Sequence, residues 1–91
     1  MYIIKRSRNF ETSSRCLSKG GKFSAKEKFN YVIKVLVTGE HLPWSFRDHK
    51  LTGSLEGYRE CHIQGDLLLI YKRENNILYL IDIGSHSQLF G

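Results

Sequence analysis

The run DLLLIYK, Asp66–Lys72, constrains this chain more than any other part of it. Its apolar stretch, Leu67–Tyr71, is strand-sized and does not alternate, so it reads as a central strand covered on both faces. Such a strand needs neighbours on both sides and a layer above and below. The next residues supply one neighbour: RENN (Arg73–Asn76) predicts a hairpin turn, and Ile77–Ile83 predicts the returning strand. The other neighbour precedes it. Gly57–Ile63 alternates, with Tyr58, Glu60 and His62 on one face and Arg59, Cys61 and Ile63 on the other, and Gln64-Gly65 turns the chain.

The first half of the chain predicts the covering layer. Phe29, Val32, Ile33, Leu36 and Val37 fall at i, i+3, i+4, i+7 and i+8, one apolar helical face. Ser24 and Glu27 read as its capping box, Gly39 as its stop, and Pro43 prevents resumption. An earlier helix is predicted from Ser7 to Lys19, with Phe10 and Leu17 on one stripe and Gly20-Gly21 ending it. Tyr2–Lys5 predicts an opening strand. Residues 40–56 read as a long connection pinned by Trp44, Phe46 and Leu51, and SHSQLFG as a tail. The order is β-α-α-β-β-β: an α+β fold in one domain over residues 1–91, with a small, mainly antiparallel sheet and two helices packed on one face.

Charge is unevenly spread. Residues 1–50 hold eleven Lys/Arg against four Asp/Glu, and residues 51–91 hold three against five, within a net charge of +5. A basic half beside a near-neutral half predicts a polyanionic or acidic partner. The N-terminus lacks the long apolar stretch of a secretory signal, and no run is long enough to cross a membrane. Two cysteines are too few for a disulfide framework, so a cytoplasmic setting with reduced thiols is expected, and Cys61 reads as a buried structural thiol.

The candidate chemistry is sparse and specific. Two cysteines and four histidines occur without CxxC, HxxxH or HExxH spacing, so no metal site is expected. There is no phosphate-cradling glycine motif, and no cofactor is expected. What remains is a polar set near strand ends: Asp48, His49, Arg59, Glu60, His62, Asp66 and His86. Histidine suits proton transfer near neutral pH. A meander can bring these places to one edge of the sheet.

Three blocks then fall into a recognisable order: RDHKLTG at Arg47–Gly53, GYRECHIQGDLLLIY at Gly57–Tyr71, and GSHSQLF at Gly84–Phe90. Together they closely resemble the YafQ branch of the RelE/ParE toxin superfamily. The detailed match spans about residues 47–90; the first 46 agree in element order and basic charge. The resemblance implies a RelE-like fold and a toxin of a bacterial type II toxin–antitoxin pair. It also implies a metal-independent endoribonuclease that cuts mRNA in the ribosomal A site by attack of a 2′-hydroxyl on the adjacent phosphate. Carried over residue by residue, it puts proton transfer on His49 and His86. Asp66 orients or shares that role, His62 lies close by, and Phe90 stacks on a base. Arg47, Lys50, Arg59, Lys72, Lys22 and Lys26 are the expected contacts to RNA or the ribosome.

The implied partners are a cognate antitoxin of the DinJ/RelB kind, the ribosome with its mRNA, and operator DNA only through the antitoxin complex. No membrane partner is implied. One position departs from the family pattern: Asp82 stands where an arginine is usual, two residues before the Gly of GSH. A carboxylate there predicts weaker cleavage than the family norm, since losing one well-placed donor already costs about 10²–10³ in rate. That departure supports a second expectation, a weakened or inactive relative that acts by binding.

Overall fold

The computed structural model describes the backbone of residues 1–20 and 23–91, and the side chains outside residues 18–24. The expected glycine stop at Gly21, the Ser24–Glu27 capping box and the expected RNA contact of Lys22 lie outside the described residues. The elements are β1 (Ile3–Arg6), α1 (Arg8–Gly20), α2 (Phe23–Val37), β2 (His49–Lys50), β3 (Arg59–Gln64), β4 (Leu67–Glu74), β5 (Ile77–Gly84) and α3 (His86–Phe90), with short 3-10 turns at Trp44–Phe46 and Gly53–Leu55.

The sheet order is β1-β5-β4-β3-β2, which puts the apolar run of β4 at the centre. Only β1 pairs in parallel, against β5; the other three pairings are antiparallel. The alternation of β4 splits its residues between two layers. Leu69 and Tyr71 enter one core with Phe10 of α1, Val32 and Leu36 of α2, and Cys61 and Ile63 of β3. Leu68 and Ile70 are just as buried but fall outside that cluster, on the opposite face. Each fully buried leucine contributes about 1.5–3 kcal/mol, so the helical layer is held by its contact with the sheet more than by helix propensity.

The β4–β5 hairpin turns on Asn75 and Asn76, at φ 52° and 63°. Two successive left-handed residues make the turn whose twist matches the flanking strands, and asparagine tolerates that region best after glycine. Arg73 ties the hairpin to the helices: its Nη1 donates to the carbonyls of Leu36 and Glu40, both at 3.1 Å. Those carbonyls lie at and just beyond the end of α2, where backbone acceptors lack intrahelical donors.

Four features depart from the sequence expectation. The long connection contains a fifth strand, β2, only two residues long. SHSQLFG is no tail: Ser85 and Gln88 form a reciprocal capping box, and α3 follows. The sequence signal, S-x-x-Q, was legible there. In the connection, Phe46 stacks on Tyr31 of α2 and Leu51 is half-buried, but Trp44 is 84 % exposed and pins nothing. Leu42 enters the core instead, and the 3-10 turn after Pro43 carries Trp44 away from it. Along α1 the stripe is partial, with Phe10 buried and Leu17 largely exposed.

A bulge in β5 has consequences for the site. Ile70 pairs with Asp82 and Tyr71 with Leu80, so Ile81 is the extra residue. Leu78, Leu80 and Ile83 all reach the helical core, which strict alternation forbids and one inserted residue allows. Ser7 anchors the bulge: its N–H donates to Leu80 O at 2.9 Å and its hydroxyl to Ile81 O.

Candidate active site

The expected catalytic residues divide into two groups, one on the sheet face opposite the helical core and one at the β3–β4 turn and the start of α3. In the first, His49 of β2 lies directly across from Glu60 of β3, and His62 is two residues further along the same face. The Nε2 atoms of His49 and His62 approach the same carboxylate oxygen, Glu60 Oε1, at 3.6 and 3.5 Å. The two rings lie 6.3 Å apart. Glu60 is 5 % exposed and is the buried charged residue among those described. A buried carboxylate is tolerated only with partners that carry charge or hydrogen-bond to it, which each imidazole does when its Nε2 holds a proton.

The second group surrounds α3. Asp66, at the β3–β4 turn, accepts from the backbone N–H of His86 at 3.3 Å. One turn on, the Phe90 ring lies 5.0 Å from the His86 ring. The capping box holds the start of this short helix: Ser85 Oγ accepts from Gln88 N at 3.2 Å, and Gln88 Oε1 accepts from Ser85 N at 2.8 Å. Gly84 makes room for it, because a Cβ there would meet Gln88 Oε1 at 2.8 Å. The register links the groups: His62 pairs with Leu68 and Leu68 with Gly84, so two strand spacings, roughly 10 Å, separate His62 from the residue that leads into α3, and His49 lies one strand further out.

Of the expected catalytic residues, His49 and His62 thus come together, and Asp66 and His86 come together. Glu60 is the addition. Alternation already put it on the face of His62, but the two-residue strand that brings His49 opposite has too few residues to show in sequence. Among the described residues, no group of three or more His, Cys, Asp or Glu side chains is arranged to hold a metal ion.

The expected RNA contacts are less uniform. Arg47, Lys50 and Lys26 are exposed. Lys72 sits between the rings of Tyr58 and Tyr79, at 5.1 and 5.2 Å, with Glu74 at 3.9 Å. Arg59 is in an ion pair: its Nε donates to Asp48 Oδ1 at 2.9 Å, while the Tyr71 hydroxyl donates to Asp48 Oδ2. Burial works against the Arg59 charge, yet the hydrogen bond and charge of Asp48 outweigh it and raise its pKa. Burial and the same carboxylate push the Tyr71 phenol well above its ordinary range. Burial likewise pushes up the Cys61 thiol, which is fully buried as expected.

Asp82 is held as a structural residue. Its Oδ1 accepts from Ser13 Oγ of α1 and from the backbone N–H of Ile83, both at 2.8 Å. Two donors share one oxygen of this carboxylate and draw it toward α1.

An open cleft of about 1240 Å³ also runs along α1, α2, the Gly65–Asp66 turn and Gln88. No helix among the described residues is long and apolar enough to cross a membrane.

Known proteins share this fold. The mRNA interferase toxin YafQ of Escherichia coli K12 is 38 % identical over 65 residues, covering 70 % of this chain and 71 % of that one. A copper-bound mutant toxin from Helicobacter pylori superposes with a TM-score of 0.92 at 34 % identity, over 99 % of this chain and 100 % of its own. The structure of the E. coli DinJ–YafQ complex contains a chain that superposes at 0.89 and 32 % identity over the full length of both. A family of bacterial toxins of type II toxin–antitoxin systems, YafQ, matches residues 2–91, and the chain belongs to that family.

Proposed function

We propose that this protein is an mRNA interferase that acts in the cytoplasm on ribosome-bound mRNA and is neutralised by a cognate antitoxin. The observation that carries the reading is the presence of two histidine groups, His49–Glu60–His62 and Asp66–His86–Phe90, with His62 two strand spacings from Gly84 at the entry to the second. Cleavage by a neighbouring 2′-hydroxyl needs a base at that hydroxyl and an acid at the departing 5′-oxygen, on opposite sides of phosphorus. In this reading His49, backed by Glu60, takes the 2′-hydroxyl proton. The oxygen then attacks phosphorus, the P–O5′ bond breaks, and His86 delivers a proton to the 5′-oxygen. The products are a 2′,3′-cyclic phosphate and a 5′-hydroxyl end. Asp66 holds the backbone of His86, and Phe90 offers a ring for a base to stack on. Arg47 and Lys50 beside His49 supply positive charge for the phosphorane.

The solved complex of a similar YafQ chain with DinJ supports the antitoxin partner. The basic first half suits both ribosomal RNA and an acidic antitoxin segment. The test is controlled expression of the wild type beside His86→Ala, following growth and mapping 5′-hydroxyl mRNA ends on translating ribosomes. Growth arrest with cuts that vanish in the variant supports the reading. A wild type that neither cuts nor slows growth sinks it, and leaves the binding-only alternative that rests on Asp82.

A further inference from the structure

We propose that Asp48, Arg59 and Tyr71 form a bracket that positions His49 and selects which of its ring nitrogens handles the proton; this rests on the cleavage reading above. None of the three needs to touch RNA. Each acts through the residue next to Asp48.

The bracket starts in the core. Tyr71 is fully buried at the centre of the sheet, and Arg59 is its partner on the neighbouring strand. Both aim at one side chain: the Asp48 carboxylate accepts Arg59 Nε–H on one oxygen and the Tyr71 hydroxyl on the other. Its side chain is only 12 % exposed, while Arg47 and His49 on either side are exposed. Asp48 is therefore the nail in an otherwise surface segment. A carboxylate bonded from two strands at once has little rotational freedom left.

Pinning Asp48 decides what its neighbours do. Successive side chains on a strand point to opposite faces, so with Asp48 turned toward Arg59 and Tyr71, His49 is turned across toward Glu60. On the other side, Arg47 adopts φ 50°, ψ 41°, the left-handed region that a non-glycine residue holds only where its surroundings over-determine it. That twist brings the Arg47 carbonyl to 2.6 Å from His49 Nδ1.

The chemistry follows from the atom types. A carbonyl oxygen can only accept, so His49 Nδ1 carries the hydrogen. Nε2 is then the nitrogen left to take up and release a proton, and once protonated it faces Glu60 Oε1, which stabilises the imidazolium that forms. A base whose tautomer is already selected needs no rearrangement before it accepts the 2′-hydroxyl proton. A buried tyrosine also has a reason to be tyrosine here. Phenylalanine would fill the same volume and leave Asp48 Oδ2 without this donor.

The experiment reads the ring directly. Nitrogen-15 spectra of the histidine side chains, recorded without RNA, separate the Nδ1–H from the Nε2–H form. They are recorded for the wild type, Tyr71→Phe and Arg59→Lys, the last keeping the charge while losing the Nε donor. In the wild type, neutral His49 is expected as Nδ1–H. In either folded variant the two forms mix, and the maximal cleavage rate on ribosomes falls about tenfold with the half-saturating ribosome concentration unchanged. Should Tyr71→Phe fail to fold, Arg59→Lys carries the test alone. A folded variant with the wild-type His49 spectrum and wild-type rate overturns the bracket. A wild type that does not cleave, yet whose His49 tautomer shifts in the variants, keeps the bracket and sinks the cleavage reading.

Discussion

The two sides of the candidate site are built in different ways. His49, Glu60 and His62 stand on paired strands, and their shared carboxylate is buried. His86 and Phe90 stand on a helix of five residues, held by a capping box and by one backbone hydrogen bond to Asp66. The first side takes its geometry from sheet register, which the core enforces. The second takes it from local caps, each worth about 0.5–2 kcal/mol. In the proposed cleavage, that contrast would hold His49 in place by sheet register and leave His86 and Phe90 to local caps.

The largest test of that contrast is His86→Ala. Its side is locally held and exposed, so stability should change by less than about 0.5 kcal/mol, while cleavage falls about 10²–10⁴-fold. Matched melting curves and 5′-end mapping measure the pair. Equal cleavage in variant and wild type would remove the second side from the chemistry.

Glu60→Gln probes the rigid side. It keeps the shape and removes the charge that two imidazoles share, so cleavage should fall roughly 10–100-fold, below the loss at His86. Single-turnover rates on programmed ribosomes compare the two. A larger loss at Glu60 than at His86 would reverse the ranking of the two sides.

The sheet side should also fail at alkaline pH. Burial raises the folded-state pKa of Cys61 and Tyr71 above their ordinary values of 9.0 and 10.0. The unfolded chain therefore releases these protons first. Their contribution is fully present below about pH 9 and is lost as pH rises through the folded values, at up to about 1.4 kcal/mol per pH unit for each withheld proton. Urea melts between pH 7 and 11 should show the slope, and Cys61→Ala should flatten its first part. A wild-type slope that stays flat would mean these groups are not held protonated by the fold.

The smallest effect is expected at the cap. Ser85→Ala removes the acceptor for Gln88 N, which should cost about 1 kcal/mol of local helix stability and lower cleavage only several-fold. Amide exchange across His86–Phe90 reads the local loss. Faster exchange spreading into β4 would show that the two sides are not independent.

The sequence alone carried far in some places and stopped short in others, for physical reasons. The helix over Phe29–Val37, the central strand and the Asn75-Asn76 hairpin were legible, because periodicity and turn chemistry are local. The motifs likewise marked His49, His62, Asp66 and His86 as candidates, and the fold brings them together as two pairs. Residues 86–90 escaped as a helix although Ser85 and Gln88 advertised the cap, because five residues cannot sustain a helix without packing. The departure at Asp82 was legible as a residue, but its hydrogen bonds to Ser13 and Ile83 were not.

By itself, then, the sequence determined the long helix, the central strand with its hairpin and the candidate site residues, since those signals lie within a few positions of one another. Only the tertiary structure decided the rest. It paired His49 with Glu60 through two residues of strand, reset the face of β5 with one extra residue at Ile81, and bound Asp48 from two strands at once. Each of these joins groups far apart in the chain. Their geometry is decided by sheet register and core packing, for which no short stretch of sequence holds the information.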